Sequence, residues 1–413
     1  MKILHVVQAY HPVKGGAEWL AQNLSEQMAQ RHGDDVTVFT AAVTKPGYFW
    51  RDEGGPLPVG TETINGVTVR RFPVYRGLRG LRRLWAHGAH RLKLPYHDWA
   101  RAIQLGPIIW GLADEIARQP AAIVMASTFP FLHMNVAVAG AKRSGKPVVL
   151  LGAIHTGDAW GYDRKLIIDA IKQADAYLAL TQFEKEYLLG KGVTPEKIQV
   201  IGGGVDVAPF LVGNGRTLRD KYQLGDKPVI LVLCRHSELK RLDTVIAAMP
   251  HIWAQQPDVH LLLAGARTNY SATLDQLITA LPPAQQAQIQ IINDFPESEK
   301  PELLAVADLL VHPSGNESFG IVFAEAWAAG KPVIGADVGA LASLIDAGQD
   351  GLLFRYGDPA SMAAQVLTLL ANPAQRAALG AAGRQKVLAN YTWDIVADRV
   401  RQIYADTIAR SRA

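Results

Sequence analysis

Two doubly wound α/β domains in tandem are the fold class this sequence predicts, on three observations. The chain has 413 residues, more than one ordinary core accommodates, so two domains of about 200 residues each are expected. Short apolar runs alternate with amphipathic helical stretches almost throughout, as parallel strands joined by crossover helices require. Many of the runs are continuously apolar rather than alternating, the pattern of strands buried on both faces.

The elements follow in order. In the first half, strands are expected at 3–7, 36–41, 67–72, 123–127, 148–153, 176–180 and 198–202. The helix after the first strand carries Leu20, Leu24 and Met28 at a spacing of four, an apolar stripe against a sheet. A second series runs through 229–235, 259–266, 289–294, 308–314, 331–336 and 351–354. Between about 206 and 227 the chain offers Gly, Pro and Asn with little periodicity. This gives an N-terminal domain 1–206, a linker 207–227 and a C-terminal domain 228–390. Beyond 359 the sequence is helical, and its last segment sets Trp393, Val396, Val400, Ile403 and Ile408 close to one face. From periodicity alone that face packs on either domain.

Residues 42–100 insert far more than the usual 2–6 residue connection. Within them Arg76, Arg79, Arg82, Arg83, Arg91 and Lys93 interleave with Leu78, Leu81, Leu84, Trp85 and Leu92. A basic amphipathic stretch over 76–93 suits an anionic membrane face or a phosphorylated substrate, and equally a solvated helix capping a cleft. Its glycines and proline lower its helical propensity.

Composition narrows the class. Apolar residues make up 49% and charged residues 19%, ordinary for a globular enzyme and unlike a disordered chain. A net charge of +4 is too small for a dedicated nucleic-acid binder. The single cysteine, Cys234, excludes an internal disulfide framework and a Cys-based zinc site, and fits a reducing cytoplasm. The sequence starts as a strand, MKILHVV, without a signal-peptide pattern. No run approaches the ~20 apolar residues of a spanning helix. A cytoplasmic protein is expected, free or on the inner face of the membrane.

Four constellations carry chemistry. In ESFGIVFAE, Glu317 and Glu325 stand eight positions apart, on one side of a helix beginning near Phe319. Between them Gly320 permits close backbone approach, and the amides of Gly320, Ile321 and Val322 form a phosphate cradle at a helix N-terminus. Two carboxylates beside such a cradle suit a ligand with phosphates in the middle and hydroxyls at either end, which is the layout of a nucleotide sugar. The plainer reading is one acid complementing the helix dipole and another in water. In RHSELK, Arg235 and Lys240 follow a strand directly, at the sheet edge where such folds bind ligands. Two cations there suit a diphosphate leaving group; a surface basic turn is the alternative. HPVKGGAE places Gly15 and Gly16 between a strand and a helix, another anion-friendly loop. HTGD sets His155 just past a strand end, able to hydrogen-bond a sugar hydroxyl or to cap the next turn.

Absences exclude other classes. There is no D-x-D, HExxH, G-x-S-x-G or P-loop string, so a metal carrier for a diphosphate, metallohydrolysis, serine hydrolysis and P-loop chemistry all lose support.

Taken together the motifs resemble the retaining glycosyltransferases of family 4 (glycosyl transferases group 1). The order runs from HPVKGGAEW through INGVTVRRFP, HTGD and ADAYLALTQFEKEYLLGKGVTPEKIQVIGGGVDVAPF to RHSELKRLDTVIAAM, VHLLLAGA, ADLLVHPSGNESFGIVFAEAWAAGKPVIGADVGAL and DGLLF. The resemblance implies a GT-B fold, two Rossmann-like domains facing across a cleft, with the terminal helix (391–413) crossing back to the N-terminal domain. It implies that Arg235 and Lys240 bind the donor diphosphate and that Glu317 contacts the donor sugar's hydroxyls. Backbone at Phe319, Gly320 and Ile321 would lie near sugar and phosphates, Val322 beside a phosphate, and Glu325 on the ribose hydroxyls. His155 would contact the donor sugar, and Gly15–Gly16 would lie at the acceptor side near the phosphates. The catalytic set is then Glu317, His155, Lys240 and Arg235, with no metal and no cofactor beyond the nucleotide-diphosphate sugar. Transfer with retention is implied, without a protein nucleophile, to a sugar, lipid-linked or small hydroxyl acceptor in envelope polysaccharide or glycolipid synthesis.

Two strings depart from the family. GGGVD (202–206) stands where Pro-Asn-Gly-Val-Asp is usual, and NDFPESEK (293–300) lacks the usual glycine of the base-contacting turn, which leaves backbone near Phe295 as the base contact. A GT-B-like epimerase or phosphorylase, or an inactive sugar-nucleotide-binding relative, are the competing readings.

Overall fold

The computed structural model describes every residue except Lys14 and Ala413. It divides into two compact units, Met1–Gly203 with the terminal segment from Trp393, and Gly204–Thr392.

The first unit is built on an eight-stranded sheet in the order β3-β4-β2-β1-β5-β6-β7-β8. Its strands are β1 (Lys2–Val7), β2 (Asp35–Ala41), β3 (Gly60–Ile64), β4 (Val67–Phe72), β5 (Ile123–Ser127), β6 (Val148–Leu151), β7 (Ala176–Ala179) and β8 (Ile198–Val200). All pairs are parallel except β3 with β4. Helix α1 (Gly16–His32) buries Leu20, Leu24 and Met28, the stripe expected from their spacing. The inner strands bury both faces, so β5 and β6 are buried at every position. Their side chains meet the crossover helices in a core that includes Leu4, Ile116, Met134, Leu150 and Ile171.

Strand β3 was not expected. Four of its five residues are exposed, so GTETI carries no apolar run; an antiparallel edge strand has no buried face to advertise. The insertion also folds into two helices, α2 (Arg79–Arg91) and α3 (His97–Leu105). Tertiary contact overrides the weak propensity at Gly80 and Gly88, with Ala86 and Ala89 buried beneath the helix.

The terminal helix, Trp393–Arg412, packs on this unit. Trp393 meets Trp19 at 5.2 Å between ring centroids, and Tyr404 Oη lies 3.1 Å from His5 Nε2. Its buried stripe is Trp393, Val396, Val400, Tyr404 and Thr407, rather than one through Ile403 and Ile408. The phase shifts because Tyr404 has a hydrogen-bond partner inside the sheet layer, as a buried tyrosine requires.

The second unit has a six-stranded, wholly parallel sheet in the order β11-β10-β9-β12-β13-β14. The strands are β9 (Val229–Leu233), β10 (His260–Gly265), β11 (Ile289–Asn293), β12 (Leu309–His312), β13 (Val333–Ala336) and β14 (Gly351–Phe354). Numbered within the unit, this is the 3-2-1-4-5-6 order of doubly wound nucleotide-binding sheets, and its direction of winding reverses between β9 and β12. Residues 207–227, expected as a linker, instead form the short helices Ala208–Val212 and Arg216–Lys221 within this unit. Gly215 N–H donates to Glu302 at 2.8 Å and Arg219 to the Val306 carbonyl at 3.0 Å. Helices this short carry too few turns to display a period.

Candidate active site

The reversal between β9 and β12 leaves a crevice at the carboxyl ends of these strands, because their crossover helices depart to opposite faces. Register pairs Leu231 with Leu310, which brings the loops after the two strands side by side. The first loop closes in a single turn, Glu238–Lys240, before Arg241 in the left-handed region (φ 51°) starts the helix Leu242–Trp253. The second loop contains Glu317.

Lys240 Nζ donates to Glu317 Oε1, and His312 Nε2 lies 2.8 Å from the same oxygen. The Glu317 side chain is 12% exposed and that of Lys240 19%. Burial alone would raise the Glu317 carboxyl, but Lys240 and His312 outweigh it and hold the group well below the usual carboxylate range. Glu317 is therefore an ionised, fixed acceptor. Beside it, burial pushes the Cys234 thiol up to about 12, which disfavours its thiolate form at neutral pH.

Beyond Glu317 the chain enters the helix Ile321–Ala328, two residues later than expected. Gly320 caps it at φ +88°, where a side chain is strained, and an added Cβ would stand 2.6 Å from Leu341 Cδ2. No side chain caps this terminus, and the Phe323 amide is bonded back to the Gly320 carbonyl at 2.9 Å. The amides of Ile321 and Val322 precede that bond, the arrangement that suits an anion. Phe319 and Val322 are buried against the unit.

Glu325, inside the helix, is also buried. Lys300 Nζ donates to its Oε1 at 2.7 Å and also pairs with Glu297. Burial holds the Glu325 carboxyl above its ordinary range in spite of Lys300. The two carboxylates of ESFGIVFAE are thus held by different cations. Arg235 is exposed and makes no hydrogen bond or ion pair with the described residues. Phe295 is half-buried in the loop after β11, one residue past Asp294 at φ +50°.

In the first unit the winding reverses between β1 and β5, and the loop carrying Gly15 and Gly16 leaves β1 there. Lys14 of that loop lies outside the described residues. Gly15 is extended and caps α1 without a side chain, while Gly16 has open space around a would-be Cβ. His155 follows β6, its ring 5.3 Å from that of Tyr162. Capping of the next turn falls to Asp158, whose Oδ1 accepts from Gly161 N–H at 2.8 Å.

Three further residues shape these loops. His312 ends an apolar strand, where a polar residue is itself a signal. Lys300 opens the helix Lys300–Val306, and only the tertiary fold connects it to Glu325. Glu184 is buried and accepts from Tyr177 at 2.5 Å, from Leu180 N–H at 2.7 Å and from Ile154 N–H at 3.1 Å. The last of these bonds fixes the backbone next to His155.

The profile of glycosyltransferase family 4 matches residues 14–209, and that of glycosyl transferases group 1 matches residues 215–386. A D-inositol 3-phosphate glycosyltransferase of Jonesia denitrificans is 30% identical over 321 residues, 72% of this chain and 74% of the relative. One from Segniliparus rotundus is 26% identical over 412 residues, 94% and 84% of the two chains. The crystal structure of Anabaena HepE with UDP superposes with a TM-score of 0.73 at 18% identity, covering 98% of this chain and 100% of HepE.

Proposed function

The chain belongs to glycosyltransferase family 4, and from that premise we propose a retaining hexosyltransferase that takes its sugar from a nucleotide diphosphate. It is a glycosyltransferase with the two α/β domains of the GT-B fold; donor binding in the second unit, retention and the acceptor are the proposal.

One observation carries it: the buried Lys240–Glu317 pair at the β9/β12 reversal, next to a helix terminus that no side chain caps. HepE has been solved with UDP and with UDP-glucose, which supports a donor of that class. In the proposed arrangement Glu317 accepts hydrogen bonds from donor-sugar hydroxyls. Lys240 and Arg235 face the diphosphate, with the Ile321 and Val322 amides beside it and the backbone at Phe319 and Gly320 near the sugar. Glu325 takes the ribose hydroxyls, Phe295 marks the turn nearest the base, and His155 hydrogen-bonds the donor sugar. Gly15 and Gly16 belong to the acceptor side.

The bond between the anomeric carbon and the phosphate oxygen breaks, and the nucleoside diphosphate leaves with the electron pair. The acceptor oxygen bonds to the anomeric carbon from the same face, and its proton passes to the departing phosphate oxygen. Negative charge grows on the leaving group, so cations placed beforehand lower the barrier. Lys240 and Arg235 supply that charge, and the proposal needs no metal or cofactor.

No described helix is long and apolar enough to cross a membrane. Leu78, Leu81, Leu84 and Leu92 on and beside α2 are all more than 60% exposed among exposed arginines, which supports a cytoplasmic protein touching an anionic membrane face. Arg82 does not share that face, being buried. Co-sedimentation with anionic vesicles at low salt, lost at high salt, is expected; no binding at either removes the membrane contact. Transfer is tested with labelled UDP-, GDP- and ADP-hexoses and a panel of hydroxyl acceptors. A glycoside of retained configuration is expected from wild type and none from Glu317→Ala, and normal turnover in that variant overturns the role of Glu317.

A further inference from the structure

Lys300 sits where a lysine is costly. It opens the helix Lys300–Val306, where a cation opposes the helix dipole, and its side chain is largely buried. Burial would lower its ammonium, but Glu325 and Glu297 outweigh that and hold the group above its ordinary range. Lys300 is therefore a fixed cation.

Its two carboxylate partners differ. Glu297 stands in the turn Glu297–Glu299 and is 69% exposed, so water screens its pairing. Glu325 lies inside the helix Ile321–Ala328, with its side chain only 7% exposed. Lys300 Nζ donates to Glu325 Oε1 at 2.7 Å, and among the described residues no donor reaches Oε2. Burial raises the Glu325 carboxyl, Lys300 opposes that and Glu297 adds to it; the group stays above its ordinary range. With Lys300 fixed as a cation, Glu325 is the buried member of the pair whose charge is in the balance.

The arrangement divides the carboxylate into two unlike oxygens. Oε1 is held by the lysine, while Oε2 remains an acceptor in a place where an unmet hydrogen bond is expensive. A vicinal diol such as ribose can donate one hydroxyl to it. An ammonium carries three donors, of which two carboxylates occupy two, and the third suits the oxygen of the neighbouring hydroxyl. Without the cation, burial would favour the protonated carboxyl, a much weaker acceptor for a hydroxyl.

We propose that Lys300 is a positioning residue for the donor's ribose: it fixes one oxygen of Glu325, leaves the other to a hydroxyl, and so sets the preference for a ribonucleotide over its 2′-deoxy counterpart. This rests on the reading of Glu325 as the ribose contact, and adds that the preference belongs to the lysine–glutamate pair rather than to the glutamate alone.

The test compares the full chain with its Lys300→Met, Lys300→Gln and Lys300→Arg variants. Each is titrated calorimetrically with UDP, GDP and ADP and with their 2′-deoxy forms between pH 6 and pH 9. The ratio of the two affinities cancels the ionisation of the phosphates. In Lys300→Met that ratio should fall about tenfold at pH 7, as the loss of a hydrogen bond to a charged group implies, while affinity for the 2′-deoxy form changes less than twofold. Removing the cation moves the carboxyl further up, so the charged acceptor returns as pH rises and the ratio should recover toward pH 9. Lys300→Gln, uncharged but still polar, should follow the same course, and Lys300→Arg should keep the wild-type ratio. An unchanged ratio in both uncharged variants overturns the role, as does a loss that neither higher pH nor arginine restores. Infrared titration of the nucleotide-free chain, with Glu325→Gln as the difference reference, reads the same carboxyl without a ligand. Its protonation should shift to higher pH in Lys300→Met, and an unshifted titration overturns the role. That shift, found together with no nucleotide binding by wild type, would instead remove the donor reading and the ribose role with it.

Discussion

Replacing Lys240 by Met should expose how the proposed donor site is held together. The substitution keeps most of the apolar stem but leaves Glu317 buried with only His312 as partner, 2.8 Å away. Breaking a buried pair by removing one member costs about 3–5 kcal/mol. The Lys240 side chain is 19% exposed and His312 remains, so the low end, about 3 kcal/mol, is expected. For a unit spanning Gly204–Thr392 this corresponds to roughly 6–12 °C in the melting point of its transition.

The loss carries a pH signature. In wild type the Glu317 carboxyl is held below its unfolded value, so its contribution is fully present above about pH 4.3 and is lost only as pH falls through the lower folded value. Wild-type stability should therefore not change through this group between pH 8 and 5.5. In Lys240→Met burial dominates and the folded value moves above the unfolded one. The penalty is then present above the folded value and is relieved as pH falls through it, by about 1.4 kcal/mol for each pH unit that separates the two values. Scanning calorimetry at pH 8 and 5.5 should find the deficit shrinking on acidification, and Glu317→Gln added to Lys240→Met should recover part of it at pH 8. A pH-independent deficit, or a double variant no more stable than the single one, would refute the reasoning.

Other expectations follow from the same contacts. If Glu325 holds ribose hydroxyls, Glu325→Gln should weaken a ribonucleotide donor about tenfold while hardly changing the affinity for its 2′-deoxy counterpart, compared by competition binding. Gly383→Ala would drive a Cβ into Cδ1 of buried Trp327, and overpacking of this kind costs about 1–3 kcal/mol, visible as a lower melting point of the second unit. Glu184→Ala removes the acceptor of Ile154 N–H and Tyr177 Oη. It should lower both stability and transfer by releasing the His155 loop, whereas Gln at the same position should retain more of both.

The fold was legible where burial is two-sided. Each continuous apolar run became a strand, because a strand covered by helices on both faces has no alternation to hide it. Strand β3 escaped because GTETI at a sheet edge is nearly all exposed. The terminal helix was legible as a helix, but its phase was not, since Tyr404 is drawn inward by His5 and a count of aliphatic residues misses that. At the proposed donor site, Glu317, Lys240 and the Gly320 helix start were visible as strand-end loops in sequence. Lys300 was not, because its partner Glu325 lies 25 residues away and only the tertiary fold brings the two side chains together. The arginines of 76–93 stand out in the sequence, but nothing in their spacing tells that Arg82 turns inward while Arg83 stays exposed.

The central claim is that the second unit grips a nucleotide-diphosphate sugar through Lys240 and Glu317, and a thermal-shift titration tests it most directly. UDP-, GDP- and ADP-hexoses are compared with the matching nucleoside monophosphates. Stabilisation grows as RT ln(1 + [L]/Kd), about 2.7 kcal/mol at a hundredfold excess over Kd. At least one diphosphate sugar should raise the midpoint with this concentration dependence, its monophosphate should do so far less, and Lys240→Ala and Glu317→Ala should abolish the response. No response to any diphosphate sugar in the wild-type protein, or an equal response in both variants, would contradict the account.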